Sequence, residues 1–374
     1  MKSQFTEKFR EFLKGETNDA ARKLREKAFA WFEANGFPNV RDEDWKYTQI
    51  ALVGSEKWIV DSETTNDEVD SNKLQNFNFR RNGFTALNLA FGSFQVIRIA
   101  RETTIETPIE IIFAADEGKA IFPHVVVIAE AGSKATIVES YASPAKSFTN
   151  AAVQVVVEDN ANLTHYRVQK ESADAFHVGT TEITLGAGSR YDSTNINLGG
   201  RISRNDIELK FTAEGGEAFV DGLYMLNGSQ HSDTHSIIDH AVPNCISHQT
   251  YKGVLNDKSR AVFNGKVLVR ANAHGTDAQQ SNKNLLLSNE ARVDTKPQLE
   301  IDNDDVKCSH GATVGQLEEE ELFYLLTRGL PNTLARNLLT YGFAEEIINK
   351  IKVEAIKKEL DDAVLHRLNT RLEG

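Results

Sequence analysis

The feature that most constrains the fold is a turn signal that recurs every 28 residues in the middle of the chain. Strand-like runs of β-branched residues, such as Val153–Val157, lie between the turns. An equal step of this kind predicts a β-solenoid, in which each coil buries its apolar side chains by stacking on its neighbours. The recurring pairs are Gly132–Ser133, Asn160–Ala161, Gly188–Ser189 and Gly216–Glu217, with looser matches at Lys258–Ser259 and Glu290–Ala291.

A second internal match supports repetition. Asp221–Gly222 precedes His231 by the same nine residues, counted from the glycine, that separate Asn264–Gly265 from His274. A β-sandwich is the alternative, but its strands come in irregular hairpins, whereas these steps are equal. We therefore predict a mainly β protein with a solenoid core over residues 95–315.

Helical patterns occupy both ends of the chain. Residues 1–94 are predicted to form a helical region and linker, in which Asn18 caps a helix and Gly36 ends it. The polar stretch from Asp61 to Asn78 is predicted to be the linker. Such helical ends would cover the edge strands of the terminal coils.

Residues 316–374 are predicted to form a C-terminal helical domain. Asn332 is expected to cap its second helix and Gly342 to end it. Four consecutive glutamates, Glu318–Glu321, fit the first turn of a helix better than an acidic active site, because the helix dipole favours carboxylates there.

Composition disfavours several classes of function. The 42 basic and 54 acidic side chains give a net charge of −12, which disfavours binding to nucleic acid or to anionic membranes. No phosphate-binding GxxxxGK[ST] loop and no GxSxG nucleophile motif is present. Two cysteines cannot build a disulfide framework, and the charged N-terminus lacks the apolar run of a signal peptide. We therefore expect a cytoplasmic protein without a spanning helix.

Two groups of residues have the chemistry of metal ligands. His231, Asp233 and His235 alternate and would share one face of a strand, where a hydrogen-bonded polar ladder is the simpler interpretation. Cys308 and His310 are also two residues apart and would share a face. A thiolate and an imidazole suit iron, zinc or persulfide chemistry, although a buried structural cysteine is an equally good interpretation of Cys308.

Several long motifs resemble the SufB/SufD family of iron–sulfur cluster assembly scaffolds, and within it the SufD branch. The C-terminal stretch KPQLEIDNDDVKCSHGATVGQLEEEELFYLLTRG (Lys296 to Gly329) carries the resemblance most clearly. Three further stretches are similar to the same family: GFPNVRDEDWKYT, YKGVLNDKSRAVFNGKVLV and TDAQQSNKNLLLS. The SufB cysteine segment has no cysteine at its nearest equivalent here, Ala291–Thr295.

The resemblance implies a fold, partners and site residues. It implies a right-handed parallel β-helix flanked by helices, pairing with SufB through the C-terminal end of the solenoid, and binding of the SufC ATPase by the C-terminal helices. It also implies a scaffold that is not itself an enzyme and holds no tightly bound cofactor. His310 would then lie at the assembly site, with Cys308 as the neighbouring thiol, and a transient iron or nascent cluster would form there.

Two other functions remain open from the residues alone. A β-helix enzyme acting on carbohydrate would need paired carboxylates on adjacent coils, and the dense acidic run Asp302–Asp305 is more simply a turn. A homodimer that binds metal on its own is the third possibility. The family resemblance gives no ligand role to His231, Asp233 or His235, and we therefore interpret them as structural.

Overall fold

The computed structural model of the protein describes residues 3–62 and 77–367. Most of the predicted linker, residues 63–76, lies outside the described residues. Within the described part the helices are α1 Ser3–Phe12, α2 Asp19–Asn35, α3 Ala51–Ser55, α4 Gly83–Phe91, α5 Glu319–Thr327, α6 Asn332–Ile348 and α7 Glu354–Arg367.

The strands divide into two sheets in which every pairing is parallel. Sheet A contains β1 Ile59–Asp61, β2 Ser93–Ile99, β4 Lys119–Ile121, β5 Pro123–Ala129, β7 Phe148–Val157, β9 Phe176–Leu185, β11 Ile202–Phe211, β13 His231–His240, β15 Arg260–Val269 and β17 Arg292–Ile301. Sheet B contains β3 Ile109–Ala114, β6 Lys134–Ser143, β8 Asn162–Glu171, β10 Arg190–Asn197, β12 Glu217–Leu226, β14 Ile246–Leu255, β16 Thr276–Leu286 and β18 Val306–Gly315.

From β5 onward the chain alternates between the two sheets, so each coil contributes one strand to each. From β8 to β16 each strand pairs with the strand two places earlier and the strand two places later, as β11 does with β9 and β13. This pattern confirms the predicted parallel β-solenoid and excludes a β-sandwich of hairpins. The domain boundaries at residues 94 and 315 stay a prediction.

The 28-residue signal marks one corner of the solenoid, where the chain passes from sheet A to sheet B. Gly132, Asn160 and Gly188 have positive φ angles of 69°, 57° and 58°, which glycine and asparagine adopt more readily than other residues. At the fourth turn the residue with positive φ is Gly215, one place before the predicted Gly216.

The three weaker repeat matches do not mark equivalent positions of the solenoid, so these predictions are wrong. Lys258–Ser259 and Glu290–Ala291 lie at the opposite corner, where the chain passes from sheet B to sheet A. The match of Asp221–Gly222 with Asn264–Gly265 pairs a position in β12 with one in β15, on different sheets. Turn residues of the same type serve both corners, so spacing alone could not separate them.

The interior of the solenoid is apolar in part and polar in part. Inward-facing Val153, Val155 and Ile183 belong to a large buried apolar cluster. Alongside it, buried histidines pair with buried carboxylates: His165 Nε2 lies 2.9 Å from Glu139 Oε2, and His177 Nδ1 lies 2.8 Å from Glu171 Oε2. Each of these two buried carboxylates therefore has a hydrogen-bonding partner, as burial requires.

The N-terminal helices pack on the outer face of sheet A. Asn18 caps α2 by accepting from the backbone of Ala20 and Ala21, and Gly36 ends that helix, as predicted. Phenylalanines of α1, α2 and α4 form one apolar cluster with outward-facing residues of sheet A, including Val126 and Val178. This N-terminal unit is therefore fixed to the side of the solenoid.

The C-terminal helices α6 and α7 pack on the outer face of sheet B. Ile347, Ile351 and Leu360 lie in one buried cluster with outward-facing residues such as Val168 and Leu223. The predicted ends of α6 are wrong. Pro331 occupies the N-cap position rather than Asn332, and the helix continues through Gly342 to Ile348. One glycine weakens a helix but does not stop one whose apolar face is buried.

The last coil has edges that the described helices leave uncovered. β17 ends sheet A and β18 ends sheet B, and residues 309–315 of β18 are all exposed. The expectation that helices cover both terminal edges is therefore wrong at this end, because α6 and α7 lie along the side of sheet B. An uncovered strand edge presents unpaired backbone donors and acceptors to another chain.

Candidate functional site at the last coil

Cys308 and His310 both lie on β18 and both face the interior side of the sheet. In the register of β18 with β16, Cys308 is opposite Ala278 and His310 is opposite Gln280, and both of those residues are buried. The predicted shared face is therefore observed. Since no further coil follows among the described residues, the interior is open at this point, and the two side chains lie at its mouth.

Cys308 is the more protected of the two. It packs against a small apolar cluster that contains Val267, Ala273 and Ala278. Burial raises the pKa of the Cys308 thiol, so the thiol is protonated at neutral pH in the isolated chain. A protonated thiol is a weak nucleophile and ligand, and binding a metal there would require loss of the proton.

His310 is exposed on the same strand. None of the residues in 3–62 and 77–367 forms a hydrogen bond with its ring; the nearby Asp305 donates its backbone N–H to Asn303 Oδ1 over 2.9 Å. The imidazole can therefore turn toward a ligand or a partner without breaking an internal contact.

The donors at the mouth suit iron but do not complete a site for it. Thiolate and imidazole both bind iron, and a cluster or tetrahedral iron uses about four protein ligands. In the described part of the chain no three or more His, Cys, Asp or Glu side chains are grouped to hold a metal ion. A metal or cluster bound at Cys308 and His310 would need its remaining ligands from another molecule.

His231, Asp233 and His235 serve a structural contact elsewhere. They lie on the outer face of β13, where the Thr48 hydroxyl lies 2.8 Å from His231 Nε2 and also donates to Asp233. Arg204 Nη1 donates to Asp233 Oδ2 over 2.7 Å. The group ties the N-terminal unit to the solenoid, which agrees with the polar-ladder interpretation.

Exposed apolar side chains lie on the edge strand β18 and on α5, the helix that follows it in the chain. Val314 on β18 is 47% exposed, and Phe323 and Tyr324 on α5 are 68% and 56% exposed. Large side chains exposed in this way beside an open sheet edge are typical of a surface that another protein covers. No helix in the described ranges is long and apolar enough to cross a membrane.

Comparison with known proteins identifies the family. The model of the SUF system FeS cluster assembly SufBD core domain matches residues 112–343, which is more than half of the chain, and the SufBD protein N-terminal region matches residues 2–80. The chain belongs to the SufB/SufD family. The SufBD core match therefore runs from within β3 through the last coil and ends within α6.

Individual SufBD relatives agree. The chain is 38% identical over 295 residues to an iron-sulfur cluster assembly SufBD family protein of Synechocystis, and 37% identical over 255 residues to iron-sulfur cluster assembly protein SufD of Escherichia coli. These matches cover 75% and 68% of this chain but only 65% and 59% of the two relatives. A SufBD family protein of Mycobacterium leprae is 30% identical over 91% of this chain and 93% of its own length.

The buried polar groups inside the solenoid are a feature that we did not predict from the sequence. His165, Arg167, Gln169 and Glu171 occupy alternate positions of β8 and all are buried. Four polar residues at alternate positions normally indicate the solvent face of a strand. The signal that would have corrected this is the opposite set, Tyr166 and Val168, which packs under the C-terminal helices.

Proposed function

We propose that this chain is a scaffold subunit of the SUF system that pairs with SufB through its last coil and presents Cys308 and His310 to a nascent iron–sulfur cluster. The observation that carries the proposal is the open last coil. Its strand edges are uncovered, and the thiol and imidazole lie at its mouth with too few neighbours to hold a metal alone. A partner that pairs with β17 or β18 would supply the missing ligands.

The second partner in this proposal is the SufC ATPase, which would bind the C-terminal helices. α5 supports this role because its aromatic residues are exposed while α6 and α7 are occupied by sheet B. The chain lacks a phosphate-binding loop, so ATP hydrolysis would belong to the partner. We place the assembly in the cytoplasm and assign no catalytic step to this chain.

The cluster is cargo in this proposal. His310 would ligate iron directly, whereas Cys308 would act only after a partner or an iron ion displaced its proton. A homodimer is a competing use of the same edges, since a second copy of the chain would present the same strands. The homodimer would bring two thiols and two imidazoles together.

Replacing His310 tests the proposal. In His310→Ala we expect the complex with SufB and SufC to form as in the wild type, because the exposed ring contributes little to folding. Cluster formation on this complex should fall at least tenfold, because the iron would lose its imidazole ligand. Co-elution on size-exclusion chromatography and the visible absorbance of the reconstituted cluster measure the two outcomes. Ser309→Ala, at the exposed neighbouring position, is the matched control.

Three results would contradict the proposal. Full cluster formation on His310→Ala would remove the imidazole from the mechanism. Equal loss of the complex and the cluster would mean that His310 only holds the two scaffolds together. Elution of the wild type as a stable homodimer that SufB does not dissociate would favour the competing use of the edges.

A further inference from the structure

A groove separate from the last-coil site lies where the N-terminal unit meets the outer face of sheet A. We propose that this groove binds a short dipolar ligand of about tripeptide length, with its ammonium group at Asp206 and its carboxylate toward Lys266 and Lys296. The groove does not form part of the SUF function proposed above.

The groove is a cavity of about 260 Å³. Outward-facing residues of β11, β13, β15 and β17 form its floor, and residues 43–45 and 81–82 of the N-terminal unit form its wall. A second cavity continues from the shared wall residues toward Pro38. The volume suits a small polar molecule in an extended form.

Asp206 gives the groove a receptor for a cation. Its side chain is fully buried and lines the cavity. Oδ1 accepts from Arg204 Nε and Nη2 over 3.0 and 2.8 Å, whereas Oδ2 has no hydrogen-bond partner in the described structure. A buried carboxylate oxygen without a donor is costly, and an N–H group from a ligand would satisfy it.

The carboxylate is charged. Burial alone would raise the pKa of Asp206, but the attraction of Arg204, with smaller contributions from Arg81 and His235, outweighs it, and the pKa lies below its ordinary value. An ammonium group is therefore a better complement for Oδ2 than a neutral amide, because a hydrogen bond between charged groups is about twice as strong.

A row of side chains leads from Asp206 to a basic end. The parallel register places Asp206, His235, Asn264 and Lys296 opposite one another on four successive strands. Neighbouring strands are about 4.8 Å apart, so the row is about 14 Å long between backbones. The row begins with the Asp206 carboxylate and ends with the Lys296 ammonium group. A ligand with an ammonium group at one end and a carboxylate at the other would complement both charges.

The lysines at the basic end are available to an anion. Lys266 pairs with Glu300 at 2.8 Å and Lys296 approaches Glu43 at 3.8 Å, with their side chains 33% and 46% exposed. Exposed ion pairs of this kind contribute little to stability, so a ligand carboxylate can take the place of Glu300 and Glu43 beside the two lysines. Three residues of extended peptide span about 10 Å, and the lysine side chains cover the remaining distance.

Binding of triglycine to the full chain, measured by isothermal titration calorimetry, tests the inference. We expect triglycine to bind at least tenfold more tightly than N-acetyl-triglycine, which lacks the ammonium group, and triglycinamide, which lacks the carboxylate. Asp206→Asn should weaken triglycine binding at least tenfold. Asp302→Asn, in the turn between β17 and β18, is the control and should leave the affinity unchanged.

Lys296→Gln keeps the inference testable if Asp206→Asn fails to fold, because Lys296 is exposed. This variant should weaken triglycine binding and leave the weaker triglycinamide binding unchanged. No heat of binding with triglycine on the wild type would overturn the inference, as would an affinity that neither substitution changes. Since the groove lies on the outer face of sheet A, either result leaves the proposal for the last coil untouched.

Discussion

At the scale of single residues, the two side chains at the last coil have different surroundings and so different chemistry. Cys308 is packed against apolar neighbours with a raised pKa, and His310 is exposed. A strand pattern could place both on one face, but it could not tell which one burial would protect. That difference depends on the coil beneath, which supplies Ala278 under the thiol.

Buried His124 makes the stability of the protein dependent on pH. Its ring nitrogens lie 2.8 Å from Asn88 Oδ1 and 3.1 Å from Gln154 Oε1, beneath the N-terminal unit. Burial lowers the pKa of His124 to about 4 from an ordinary 6.5. Above pH 6.5 the ring is neutral in both states. As the pH falls from 6.5 to 4, only the unfolded chain takes up the proton, so stability is lost.

We expect this histidine to account for a loss of roughly 3 kcal/mol over that pH range. The free energy of unfolding in urea, measured at intervals between pH 7 and pH 4, should fall less steeply for His124→Gln than for the wild type. His366→Gln, at an exposed position of α7, should retain the wild-type slope. Parallel curves for His124→Gln and the wild type would contradict the assignment.

At the scale of elements, local signals predicted helix ends well where packing did not compete. Asn18 and Gly36 bound α2 as expected, because a cap and a positive φ angle are local requirements. Gly342 failed as a stop because α6 is held by contact with sheet B on both sides of it. Sequence shows the cost of a mid-helix glycine but not the tertiary contacts that offset it.

The edge strand β18 should lose its partner when it carries a new charge. In Val314→Lys the added ammonium lies at an exposed position of the edge, where lysine opposes pairing with another chain. We expect at least tenfold weaker binding of SufB, measured by biolayer interferometry, and an unchanged melting temperature. Val156→Lys, an exposed position on the central strand β7, is the matched control. Undiminished binding of Val314→Lys would place the interface elsewhere.

The helix α5 should carry the contact with SufC. The double variant Phe323→Ser and Tyr324→Ser removes two exposed aromatic rings, and we expect at least tenfold weaker SufC binding with SufB binding retained. Co-purification with each partner separates the two effects. Retention of SufC by the variant would exclude α5 as the main contact.

Deletion of the whole C-terminal region is a poorer experiment than these substitutions. α6 and α7 cover the apolar outer face of sheet B, including Val168, Leu223 and Val254. Removing the two helices would expose this face and favour aggregation, so a loss of SufC binding would have no clear cause.

At the scale of the whole molecule, the repeat predicted the parallel solenoid but did not show which side chains fill its interior. Gly132, Asn160 and Gly188 revealed the coil length because each needs a backbone conformation that few residues adopt. The polar interior around Glu139 and Glu171 was not predicted, because the terminal helices also cover the outer faces of the two sheets and alternation does not show which face is inside.

The open end of the molecule also depended on the structure. The motifs around Cys308 and His310 pointed to the family, but the uncovered edge follows from where α6 and α7 pack. An amphipathic pattern shows that one face of a helix will be buried, but it does not show which surface will cover that face. Here the covering surface is the outer face of sheet B, which exists only in the complete solenoid.

Amide hydrogen exchange with and without SufB is the most direct test of the central claim that the last coil is the docking surface. Upon addition of SufB, we predict slower exchange across Val306–Gly315 and no change in β3, the edge strand at the other end of sheet B. Protection of β3 or of the outer sheet faces, with exchange in Val306–Gly315 unchanged while SufB is bound, would contradict the account.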